Sequence, residues 1–218
     1  MNVRRSAIIA ALCASGVLLP QGAARAHPHV FAEARLEVTI KPDGTVDRLR
    51  HVWRFDELFS STVMLEFDAN SDLLLDDAER ETVAGVVTGS IAEFGYFQRI
   101  EVSGNEVGVA PVDDLKVLFE DGQMIIFFTA VPAETVAIAD EPSFGVFDPT
   151  FYTAIEFLDE KEMVLEGAPA NCGHEMVIPD PDEAIAQNQD KLTEAFFNDP
   201  GGNDMSKLFA TRMDVSCS

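Results

Sequence analysis

The chain has 218 residues, 47% of them hydrophobic, and a formal net charge of −23 at pH 7. That apolar content supports a packed core and excludes a disordered acidic polymer. The charge excludes nucleic acid and anionic lipid as electrostatic partners, and it concentrates cations near the surface without specifying one.

Residues 1–26 carry Arg4 and Arg5, an apolar run from Ala7 to Leu19, and Ala24-Arg25-Ala26, a small-x-small cleavage pattern. This layout predicts a cleavable secretory signal peptide and a mature chain that starts at His27. The run is short for a membrane span, and no later stretch supplies the ~20 apolar residues that one requires. The expectation is therefore a periplasmic protein with no membrane anchor of its own. Loss of Arg4, Arg5 and Arg25 leaves 12 Lys and Arg against 38 Asp and Glu, a formal charge of −26. The remaining length predicts one domain over 27–218.

The mature chain opens with His27-Pro28-His29-Val30-Phe31 and continues to Arg50-His51-Val52-Trp53-Arg54-Phe55-Asp56-Glu57. Between these runs lies Lys41-Pro42-Asp43-Gly44-Thr45, where Pro presets φ and Gly tolerates φ > 0, so an antiparallel hairpin is predicted. Alternation puts Val30, Ala32, Ala34, Leu36, Val38 and Ile40 on one face of the first strand, and Leu49, His51, Trp53 and Phe55 on one face of the second. His51 thus falls on the apolar face, either as a core residue or as a ligand. His27 and His29 have the opposite parity, and only a start that folds back would unite the three. The amine and imidazole of His27, helped by His29, offer nitrogen donors that suit zinc, copper or nickel. Pro28 lacks the amide proton that a square-planar amino-terminal site needs.

The sharpest motif follows. Asp68-Ala69-Asn70-Ser71-Asp72-Leu73-Leu74-Leu75-Asp76-Asp77-Ala78-Glu79 has the spacing of a twelve-residue EF-hand loop. Asp68, Asn70, Asp72, Asp76 and Glu79 supply side-chain oxygens at positions one, three, five, nine and twelve. Leu74 offers its carbonyl at position seven. Position six is Leu73 where glycine is usual, which costs on the order of 1–2 kcal/mol in a left-handed conformation. Helices are predicted over 57–67 and 77–97, the second with Val83, Val87, Ile91 and Phe94 on one stripe. The simpler reading of the acids is helix capping, with Asp76 as the cap.

Strands are predicted over 100–109, 115–120, 124–131, 136–139, 153–157, 163–165 and 175–178. Phe144, Phe147, Phe151 and Tyr152 read as core. A helix over 182–197 precedes Asn198-Asp199-Pro200-Gly201-Gly202, and a last strand runs over 208–216. The expected fold is α+β and β-rich: an antiparallel sandwich-like domain with an EF-hand-like insertion at 57–97 and a C-terminal helix. Cys172 and Cys217 survive signal cleavage, and an oxidising compartment favours their disulfide. The alternative is a thiolate site with His174. No nucleophile elbow, phosphate loop or His-Glu-x-x-His pair is present, so a non-enzymatic protein is expected.

Together, the His-Pro-His-Val-Phe start, His51-Val52-Trp53-Arg54-Phe55-Asp56-Glu57, the acidic loop, Phe147-Asp148-Pro149-Thr150-Phe151-Tyr152 and the late cysteine pair resemble one pattern. It is that of a periplasmic family of unknown function, commonly labelled the periplasmic component of an uncharacterised ABC-type transport system. The resemblance spans the mature chain and implies an accessory that handles a divalent transition metal, zinc first, for an inner-membrane permease of the nickel/cobalt type. It implies His27, His29 and His51 as metal ligands, with His174 as a further candidate. An alternative from another class is a calcium-stapled interaction module that docks on the permease without touching its cargo.

Overall fold

The computed structural model describes residues 28–189 and 206–218. The hairpin forms as its parity dictates: β1 (Val30–Ile40) pairs antiparallel with β2 (Val46–Phe55), and the alternating apolar residues of both are buried. Asp43 sets the turn by accepting from the amide and hydroxyl of Thr45.

Two helices follow directly. Asp56 caps α1 (Glu57–Phe67) by accepting from the Phe59 amide at 2.9 Å, and its other carboxylate oxygen accepts from the Phe31 amide at 2.9 Å. One side chain therefore starts the helix and fixes it to the beginning of β1. The buried Ser60 hydroxyl accepts from the Met124 amide, which ties α1 to the next sheet strand. α2 (Asp77–Ala92) begins at a capping box made by Asp76 and Glu79. After it, Tyr96 and Phe97 both take positive φ and reverse the chain, which lays Phe97 over Trp53 with ring centroids 6.0 Å apart.

The remaining strands are β3 (Gln98–Val102), β4 (Asn105–Val107), β5 (Lys116–Glu120), β6 (Gln123–Ala130), β7 (Ser143–Val146), β8 (Thr153–Glu156), β9 (Met163–Glu166), β10 (Cys172–Val177) and β11 (Thr211–Cys217). One sheet has the order β5-β6-β2-β1-β8, with β9 also on β1; the other runs β10-β11-β7-β3-β4. Both contribute to one hydrophobic core. The fold is thus a β-rich α+β fold, as its residues predict, with differences that include β7, a strand that its residues do not predict. The first sheet is mixed, because β8 and, after a short connection over 157–162, β9 pair parallel to successive halves of β1. The segment 136–139 is no strand: it meets the β1–β2 turn at the single bridge Thr45–Ala137 and then tightens into a 3₁₀ turn.

The aromatic segment divides as well. Phe144 lies in β7 and is fully buried, whereas Tyr152 is half-exposed. The C-terminal helix is described as α3 (Pro181–Gln187), and the rest of its expected span lies outside the described residues. Cys172 and Cys217 stand opposite each other in the β10–β11 register and form a disulfide.

Candidate functional site

The acidic loop joins α1 to α2, and its conformation follows from short side chains bonding nearby amides. Asp68 accepts from the amides of Asp72 (3.1 Å) and Leu73 (2.7 Å), Asn70 from Asp72 (2.9 Å), and Asp72 from Leu74 (2.9 Å). Leu73 stands at φ 65°, in the left-handed region that the glycine of such loops adopts. Glu79, nearly buried, closes the frame: one carboxylate oxygen accepts from the Ala69 amide and the other from the Asp76 amide. Leu75 is buried beneath it.

A carboxylate oxygen that accepts one amide keeps a second lone pair. The donor set is entirely hard oxygen, which suits calcium, and the residues that would hold it are Asp68, Asn70, Asp72, the Leu74 carbonyl, Asp76 and Glu79. The helix-capping role of Asp76 is also real, since it accepts from Ala78 and Glu79. Among the described residues no three His, Cys, Asp or Glu side chains converge as a closed metal cage. The loop is a frame of acids and not a finished shell.

The histidines are dispersed. His51 is 0% exposed, with its ring stacked on Phe128 at 4.5 Å and edge-on to Trp53 at 5.8 Å, and neither ring nitrogen has a hydrogen-bond partner. Burial pushes its pKa down to about 3, so the imidazole is neutral. His51 pairs with Leu36, seven residues along β1 from His29, which places the two roughly 20 Å apart at ~3.3 Å per residue. His29 is exposed beside Tyr152, with ring centroids 4.9 Å apart. His174 bonds the Met163 carbonyl through Nε2 at 2.8 Å. His27 lies outside the described residues. The fold therefore does not bring His29, His51 and His174 together, and the disulfide removes both cysteines from any thiolate site with His174.

A cavity of about 400 Å³ opens between the helices and the first sheet. Trp53, Phe55, Met124 and Ile126 form its floor; Phe59, Val63 and Phe67 of α1 and Val83, Val87 and Ile91 of α2 form its wall. Asp148, Thr150 and Tyr152 edge the third side. Asp148 is only 3% exposed and accepts three hydrogen bonds: from the Thr150 amide (2.8 Å) and hydroxyl (2.7 Å) at Oδ1, and from the Thr153 amide (2.9 Å) at Oδ2.

A family model described as a protein of unknown function, DUF1007, matches residues 12–217. The chain belongs to that family. No curated protein matches it. In this DUF1007 chain the residues that sequence reasoning missed are Trp53 and Asp148. Trp53 reads as one more apolar-face aromatic, and Asp148 as one acid among 38 Asp and Glu. The available signal is Asp148-Pro149-Thr150 inside an aromatic stretch, an Asx-turn pattern where a solvated acid has no business.

Proposed function

We propose that this DUF1007 chain is a non-enzymatic, exported accessory of a transport system. In this reading calcium staples the α1–α2 hairpin and so presents a fixed surface to an inner-membrane permease. The observation that carries the reading is the loop frame: a non-glycine residue held at positive φ in position six, with the side-chain oxygens of Asp68, Asn70, Asp72, Asp76 and Glu79 each fixed by backbone amides. Such strain, of order 1–3 kcal/mol, persists where surrounding structure over-determines it, and such sites cluster at ligand clamps.

The periplasmic setting is supported by the signal-like residues 1–26 and by the disulfide, which is compatible with an oxidising compartment. No helix of the described residues is long and apolar enough to cross a membrane. The permease as partner rests on the family resemblance alone. Transition-metal handling is disfavoured as the chief role, because His51 and His174 are engaged in the core and in the sheet.

Thermal unfolding of chelator-stripped mature protein, with and without calcium, tests the proposal. Calcium at about a hundred times its Kd should add about 2.7 kcal/mol of stability, and Asp68→Ala should abolish the gain. A melting temperature that ignores calcium in the unmodified protein sinks the staple. A parallel zinc and nickel titration with His27→Ala shows whether the amino terminus binds metal independently: one-to-one binding lost in that variant would restore the metal-handling role.

A further inference from the structure

We propose that the cavity between the helical hairpin and the first sheet binds a single-chain amphiphile with an apolar tail and a cationic amine head, the tail lying over Trp53 and the head at Asp148. The proposal does not rest on the calcium staple.

Three observations point there. This solvent-open space of about 400 Å³ falls within the ~300–1,000 Å³ range of small-ligand pockets. Phe59, Phe67 and Phe94 face it and remain only partly buried, so the described residues leave inward-facing aromatic surface uncovered. The polar side chains on its lining are the acids and hydroxyls of Glu66, Ser90, Asp148, Thr150, Tyr152 and Thr153, together with the indole N–H of Trp53, which has no hydrogen-bond partner. Among the described residues no Lys, Arg or His lines it.

Charge decides the head group. A fatty acid would place its carboxylate beside a buried carboxylate, with no cation to compensate either. An ammonium head meets Asp148 instead, whose Oδ2 accepts only one hydrogen bond from the protein and keeps capacity for another donor. Glu66, exposed on α1 at the rim, adds attraction of the same sign. The apolar lining accounts for the tail, since burying each methylene contributes to binding in proportion to the area removed from water.

The chain's one tryptophan lines the cavity, so it reports occupancy directly. Decylamine, decanol and decanoate, each kept below micelle formation, are titrated into the mature protein while Trp53 emission is followed, in calcium and again in chelator. Decylamine is expected to give a saturable one-to-one response at least tenfold tighter than decanoate. Val87→Phe, which fills the cavity from α2, should weaken decylamine binding at least tenfold at an unchanged melting temperature. Asp148→Asn should reduce decylamine to the affinity of decanol; if that variant does not fold, Glu66→Gln and the amine-to-carboxylate ratio of the unmodified protein test the charge argument. An absent or unsaturable Trp53 response overturns the proposal, as does equal binding of decanoate, or a Val87→Phe protein that binds as before. A response seen equally in calcium and chelator leaves this site standing even where the staple fails.

Discussion

His51 and the Asp68–Glu79 loop carry residue types suited to metal chemistry, and the fold treats them in opposite ways. His51 is sealed between aromatic rings with both nitrogens unpartnered. In the loop, which lies largely at the surface, Asp68, Asn70, Asp72, Asp76 and Glu79 each engage a backbone amide while keeping lone pairs to spare. The difference teaches that a ligand needs a lone pair that is both oriented and reachable. His51 has lone pairs that nothing can reach, and the neutral imidazole behaves as a flat, apolar-sized block that pays a desolvation penalty. The loop has oriented oxygens that, Glu79 apart, lie open to solvent and cations.

The sharpest way to break this contrast is through acid. An unfolded histidine takes up a proton below ~6.5, whereas folded His51 resists protonation down to about 3. Stability from keeping it neutral is therefore intact above pH 6.5 and is lost as pH falls from there toward 3, a total of about 4–5 kcal/mol by linkage. Carboxylates also titrate in that window, so the measurement is a difference: urea midpoints from pH 7.5 to 4 for the unmodified protein and for His51→Leu. The variant should lack much of the acid loss and should be no less stable at pH 7.5, since it removes two unsatisfied buried nitrogens. Parallel pH slopes for the two proteins would mean that His51 is hydrated or protonated in solution, and the contrast would collapse.

From the other side, Glu79→Ala should cost about 1–3 kcal/mol even in chelator, because it strands the amides of Ala69 and Asp76. If that loss appears only in calcium, the frame forms only around the ion. The smallest effect belongs to Leu73→Gly. Relief of left-handed strain worth ~1–2 kcal/mol is offset by the freer unfolded chain, ~0.4–1 kcal/mol, for a net gain of up to about 1.5 kcal/mol. Urea unfolding in chelator should show that gain as a higher midpoint; an unchanged midpoint would show that Leu73 carries no strain.

Much of the fold was legible because it rests on local rules. The Pro-Asp-Gly turn, the period-two alternation of β1 and β2, and the Asp76–Glu79 cap are short-range consequences of side-chain chemistry. β7 was not legible, because Ser143–Val146 is four residues with a central Phe-Gly and no alternation. The candidate site was half legible. The acid loop declares itself through spacing, but Asp148 becomes distinctive only once Thr150 and Thr153 satisfy it and burial isolates it.

The residues alone determined a β-rich chain with an acidic helix-loop-helix and a cysteine pair that export favours, because periodicity, turn chemistry and charge act over a few positions. Only the tertiary structure decided that β1 takes parallel partners, that His51 is roughly 20 Å from His29 along the sheet, and that an apolar space remains under the hairpin. Each of these depends on which distant segments share a face, and that is fixed by packing the two sheets and two helices against one core.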